Sequence, residues 1–169
     1  MGRAGTRVTT CFMALGLLAA CTEQPVNAPV TQETTKSETH AESGLRIIPV
    51  SVLSASGTHV FRTELAATPE QQAQGMMYRT GMGPDEAMLF PSAEPTARAF
   101  WMKNTPIPLD IIFIGLDGRI ANIAAMAEPY SEKQIYSIGS ASAVLEIAGG
   151  RAAELGIKQG DQVTYDLAE

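Results

Sequence analysis

The chain is short of the residues that carry most enzymatic and metal chemistry. Its 169 positions hold two cysteines, Cys11 and Cys21, two histidines, His40 and His59, and a single tryptophan, Trp101. From residue 22 onward there is no cysteine, which excludes a disulfide, a thiol nucleophile and a cysteine metal site in that region. With His40 in a polar stretch and His59 alone in a β-rich run, neither a Ser-His-Asp triad nor a zinc site has its parts. Positive charge is scarce as well: 12 basic residues face 18 acidic ones, a net charge of −6. Such a surface repels phosphate backbones, so nucleic acid is not expected as a partner.

Long apolar runs are also missing. A transmembrane helix needs roughly 20 predominantly apolar residues. Here Cys11 to Ala20 (CFMALGLLAA) follows the cationic Arg3 and Arg7 and gives way after Cys21 to Thr22-Glu23-Gln24-Pro25. A positive start and a short apolar core read as a signal peptide over residues 1–20. Leu18-Ala19-Ala20-Cys21 resembles the lipobox of bacterial lipoproteins, in which small residues admit the peptidase and the cysteine thiol takes the diacylglycerol. The expectation is an envelope lipoprotein held by acyl chains of the palmitate class on Cys21, with its domain facing the periplasm. One acyl chain binds only marginally, but each buried CH₂ adds about 0.8 kcal/mol, so several chains anchor firmly. Cleavage after Ala20 removes two basic residues and no acidic one, leaving 10 against 18, or −8. Membrane contact is therefore expected through the lipid and not through a basic patch.

Residues 21–44 are rich in Thr, Glu, Pro, Ser, Ala and Gln and nearly free of large apolar side chains. A segment of that composition cannot bury enough surface to offset chain entropy and reads as a disordered tether. Residues 45–169 have a globular composition and the length of one domain with one modest core.

Within that domain Leu45–Leu53 and His59–Ala66 read as strands joined by the glycine-containing loop Ser54–Thr58, with Pro49 placing the first at an edge or bulge. Thr68-Pro69-Glu70-Gln71 is a helix start, with Thr68 as N-cap, Pro69 at the first helical position and Gln71 closing a capping box. The helix is expected to reach about Tyr78, with Ala73, Met76 and Met77 on its apolar face and Gly81 beyond its end. Met88–Phe90 and Arg98–Met102 look like two short strands separated by a loop bearing Pro91 and Pro95. Leu109–Ile114 (LDIIFI) suggests a strand buried on both faces, turned by Asp117-Gly118 into Arg119–Ala125. The end of the chain reads as strand Ala143–Ala148, a short helix Arg151–Leu155 stopped by Gly156, and strand Gln162–Leu167. Leu155–Val163 is also similar to a turn of PDZ domains and small barrels. The pattern predicts a compact β-dominated α+β domain, a partly closed barrel with two short helices.

The segment Phe100-Trp101-Met102-Lys103-Asn104-Thr105-Pro106-Ile107-Pro108-Leu109-Asp110 resembles the signature of the domain of unknown function 192 family. The likeness extends to Gly75-Met76-Met77-x-Arg79, Met88-Leu89-Phe90, Phe113, Asp117-Gly118, Val144-Leu145-Glu146 and Gly160-Asp161. Ala87 stands where the family usually has glycine, so the backbone there should be less free. The resemblance implies a small, mostly β fold, often exported or membrane-anchored, and it implies no reaction.

Read from the residues alone, Trp101–Asp110 is the most site-like stretch. It gathers an indole, an ammonium, an amide, a hydroxyl and a carboxylate, and Pro106 and Pro108 stiffen it. Candidate ligand contacts are Arg79, Trp101, Lys103, Asn104, Asp110 and Glu146, for a small molecule such as a sugar or carboxylate, or for an envelope protein. The bland alternative packs Trp101 and Met102 in the core, ties Asn104 and Thr105 to loop backbone and pairs Lys103 with Asp110. A hydrolase is the alternative function. Asp110 and Glu146 lie in apolar strands that can raise a carboxyl pKa and divide acid and base roles, or one of them can be buried against Arg79. Met76, Met77, Met82, Met88, Met102 and Met126 supply soft donors for Cu(I), although methionine also fills irregular cores. No cofactor is expected, and whether the domain is an enzyme is open at this level.

Overall fold

A computed structural model describes residues 38–168. The segment expected as a signal peptide, Cys21 and residues 22–37 of the expected tether lie outside the described residues. Seven strands and two short helices follow in the order β1 (Ile47–Ser54), β2 (Gly57–Leu65), α1 (Pro69–Gln74), β3 (Glu86–Phe100), β4 (Leu109–Ile114), β5 (Ile120–Ala127), β6 (Ile135–Ala148), α2 (Arg151–Glu154) and β7 (Gln162–Tyr165). They form one curled sheet in the order β5-β4-β6-β3-β2-β1-β7. Its two outer strands meet at one end, where Val163 N–H donates to Gly118 O at 2.8 Å and Ile120 N–H to Asp161 O at 2.9 Å. The sheet is thereby a half-closed barrel, which shortens the exposed edges.

The hairpin β1–β2 runs in register from Ile47 opposite Glu64 to Ser54 opposite Gly57. Pro49 is tolerated because β7 pairs only with Val50–Leu53, so the ring faces no partner strand there. The capping box forms as expected, with the Thr68 side chain accepting from Gln71 N and the Gln71 side chain from Thr68 N. The helix stops earlier than Tyr78, however, because Gly75 turns to φ 48° and Gly75 N–H closes on Gln71 O. Ala73 is exposed and Met76 is buried by the turn that follows, not by a helical face.

The region expected as two short strands is one strand, β3, with irregular pairing between Pro91 and Thr96. Ala97–Phe100 stay in the sheet because β6 begins at Ile135, earlier than Ala143, and supplies the opposing residues. Nothing local signals that pairing, since the two segments lie about forty residues apart.

Both faces of the central strands are covered. On one face Ile112, Ile114, Leu145 and Ile147 pack with Val50, Val52, Phe61 and Ala152. On the other, Leu109, Ile111, Phe113 and Val144 pack with Met76, Met88, Phe90 and Met102. All six residues of β4 are buried, as the unbroken apolar run predicts. Each such Ile, Leu or Phe contributes roughly 1.5–3 kcal/mol on burial.

Candidate functional site

Opposite residues in a ladder share a face, and the β4–β6 register sets Ile111 against Glu146 but Asp110 against Ile147. Asp110 and Glu146 therefore leave opposite faces of the sheet. The carboxylate pair of the hydrolase reading does not assemble.

Asp110 is fully buried and used by the backbone. Its Oδ1 accepts from Met126 N at 2.8 Å and Gly150 N at 3.0 Å, and its Oδ2 from Ala152 N at 2.9 Å. Gly150 has no side chain to cap α2, so this carboxylate, reaching from β4, takes the free N–H groups at the helix start. It also holds Met126 at φ 51°. Asp110 is thus a structural carboxylate, not a ligand contact, and it does not pair with Lys103.

Glu146 lies in the other cluster, between Ile111 on β4 and Met88 on β3. It is 4% exposed, and its Oε2 is buried with no hydrogen-bond partner. Desolvation pushes its carboxyl up to about 8, so it is protonated at neutral pH. Beyond it opens a cavity of about 400 Å³, whose walls include Met76, Phe90, Arg98, Phe100, Trp101 and Lys103. Trp101 is 40% exposed at the rim, with Lys103 Nζ 5.0 Å from its ring centroid.

Two loops build the mouth. Tyr78 and Asn104 both stand in left-handed backbone, at φ 66° and 55°. They hold one another: Tyr78 N–H donates to Asn104 O at 2.7 Å, and Asn104 Nδ2 to Tyr78 Oη at 3.0 Å. The expected backbone roles of Asn104 and Thr105 are thus partly realised, with Thr105 Oγ1 donating to Lys103 O at 3.2 Å.

Arg79 is not part of this cavity. Its Nη2 donates to both oxygens of the buried Glu64, at 2.8 and 2.6 Å, and it lies 3.5 Å from Glu42. Ser43 Oγ also bonds Glu64, and His40 Nδ1 lies 3.6 Å from it. The buried ion pair expected for Arg79 exists, but its acid is Glu64, not Asp110 or Glu146. Glu64 opposes Met88, and Met88 opposes Glu146, so the two acids share a face with a methionine between them.

Of the methionines, Met76, Met88 and Met102 are core residues, while Met126 is exposed near Gly150. Core packing accounts for the first three. Sequence reading missed Arg98 altogether. Arg98 and Phe100 share β3 and the same alternation, and the guanidinium lies 5.5 Å over the Phe100 ring. A lone cation two residues before an aromatic, beside the only tryptophan, was the available signal.

The architecture is a β-dominated half barrel with a small cavity of mixed polar and aromatic lining beside Trp101. Residues 51–165 match the DUF192 model, described as an uncharacterized ACR, and the chain belongs to that family. No curated protein matches it. Among solved structures it is similar to a protein of unknown function from Novosphingobium aromaticivorans DSM 12444, at 54% identity and TM-score 0.75 over 78% of this chain and 94% of that one. It is also similar to a putative transcription regulator from Sinorhizobium meliloti 1021, at 42% identity and TM-score 0.69 over 72% and 95%.

Proposed function

We propose that this protein is a lipid-anchored, non-catalytic envelope domain that holds a small molecule in the cavity beside Trp101. The observation that carries the reading is that Glu146, a buried carboxyl whose Oε2 has no hydrogen-bond partner, is among the residues lining an open cavity. A buried polar group left without its full partners is costly, at about 1–3 kcal/mol, and a ligand group that bonds the carboxyl offsets part of that cost. The volume falls within the roughly 300–1,000 Å³ of small-molecule sites, and aromatic walls with a few polar groups are their usual lining. The separation of Asp110 from Glu146 removes the specific support for hydrolysis. The transcription-regulator description of the Sinorhizobium protein is not carried over, because a chain of net charge −6 gives no support for contact with phosphate backbones.

The test is a thermal-shift and fluorescence screen of neutral, anionic and cationic fragments against the domain, repeated with Glu146→Leu. Fragments that raise the melting temperature of the wild type and not of the folded variant support the cavity. Stabilisation that is equal in both, or absent from both, overturns it. Anchorage is tested separately in cells with Cys21→Ser, which should move the protein from the membrane fraction to the soluble fraction and abolish incorporation of labelled palmitate. Unchanged membrane retention and labelling would refute the anchor.

A further inference from the structure

The charge lining this cavity runs against the charge of the protein. Overall the chain is acidic, yet the ionisable side chains on the cavity are Arg98, Lys103 and Glu146, and the last is neutral at pH 7. Arg98 has no carboxylate partner among the described residues. Its Nη1 donates to Ser92 Oγ at 2.9 Å and its Nη2 to Gln72 Oε1 at 3.1 Å, both uncharged. Burial lowers its pKa, but a guanidinium stays protonated in proteins, so a half-buried positive charge faces the cavity uncompensated. Lys103 adds a second cation at the rim, stacked on Trp101. Behind Met88 on this face, among the described residues, Glu64 pairs with Arg79, Glu42 lies 3.5 Å from the same guanidinium and His40 3.6 Å from Glu64, while Glu86, two residues from Met88 on β3, accepts from Gly83 N–H at 2.7 Å.

Resting on the cavity reading above, we infer that the ligand is a small organic acid. Its carboxylate meets Arg98 and Lys103 at the mouth, its apolar body lies against Phe90 and Phe100, and its inner end accepts a hydrogen bond from Glu146. A guanidinium and an ammonium beside an uncharged wall suit a carboxylate, which both can bond. Glu146 must be protonated to serve as the inner donor. When ionised it gives up that hydrogen bond and repels the anion.

The experiment uses three matched probes that differ in the charge of one group and share an ether oxygen that can accept from Glu146: p-methoxybenzoate, p-methoxybenzyl alcohol and p-methoxybenzylamine. Trp101 is the only tryptophan in the chain, so its fluorescence reports the cavity directly. The expected result is p-methoxybenzoate binding about tenfold tighter than the alcohol, the amine weakest, and the preference lost in Arg98→Gln. Lys103→Gln, at a rim residue with no hydrogen bond from its ammonium among the described residues, should weaken it as well and serves if Arg98→Gln does not fold. Raising the pH from about 7 to about 9 should weaken p-methoxybenzoate on the wild type and not on Glu146→Gln. If the alcohol binds as tightly as the acid, the cavity stands and the anion inference falls. If p-methoxybenzoate binds both cation variants as tightly as the wild type, it sits elsewhere and the inference falls. If no probe binds, the inference and the cavity reading fall together.

Discussion

Asp110 and Glu146 stand one register step apart on neighbouring strands, yet one points to the start of α2 and the other to the cavity beside Trp101. Three backbone N–H groups converge on Asp110. None reaches Oε2 of Glu146. Two carboxyls of similar burial therefore have different chemistry: one is saturated by the fold, and the other is left with an unfilled position in a low-dielectric wall. This contrast separates what stabilises the domain from what it offers to a ligand.

Asp110→Ala leaves the N–H groups of Met126, Gly150 and Ala152 without their acceptor. Hydrogen bonds to a charged group contribute about 1.5–3 kcal/mol each and are not additive, so a loss of about 3 kcal/mol in urea unfolding is expected. A loss below about 1 kcal/mol would show that α2 finds another cap.

Glu146 should impose a slope of stability on pH. Its folded pKa is raised, from 4.5 to about 8, so between those values the folded state binds more protons than the unfolded one. Stability is then greatest below the unfolded value and falls as pH rises through the window, by up to about 1.4 kcal/mol per pH unit. Glu146→Gln should lack this component and exceed the wild type in stability at about pH 7 and above. Parallel stability profiles for the two proteins from acid to mildly alkaline pH would rule out the raised carboxyl.

Arg79 and Glu64 should be strongly coupled. Removing one partner of a buried ion pair leaves an uncompensated charge and typically costs about 3–5 kcal/mol. Because Arg79 retains 14% side-chain exposure, the lower end is expected for Arg79→Met. The double variant Arg79→Met/Glu64→Gln should recover part of the loss, with a coupling of about 1–3 kcal/mol in a double-mutant cycle. Additive losses would mean that the pair acts as two independent side chains.

Gly75→Ala tests why α1 stops where it does. Its φ of 48° strains any side chain, and an added Cβ would sit 3.4 Å from the Phe90 ring. The expected destabilisation is about 1–2 kcal/mol, accompanied by changed probe binding because Phe90 lines the cavity. An unchanged unfolding midpoint would indicate that the turn relaxes freely.

The local elements were legible wherever the signal was confined to neighbouring residues. The Thr68 capping box, the Asp117-Gly118 hairpin and the doubly buried run Leu109–Ile114 depend on turn chemistry and periodicity, and all three are present. The length of β3 and β6 was not legible, because each extension is held by the other from far along the chain. Arg79 was singled out correctly as a buried cation but matched to the wrong acids. Glu64 sits in a β-rich run like the other candidates, and only the parallel pairing of β2 with β3 carries it to the methionine-lined face.

By itself the sequence determined the mostly β class, the family signature and the absence of thiol chemistry beyond residue 21, because these depend on composition and short-range order. It also carries the lipobox-like ending at Cys21, on which the proposed anchor rests. Only the tertiary structure decided that Asp110 serves a helix and Glu146 a cavity. Side-chain direction alternates along a strand, and which face meets the core, a helix or an open pocket depends on strand register and on segments far away in sequence.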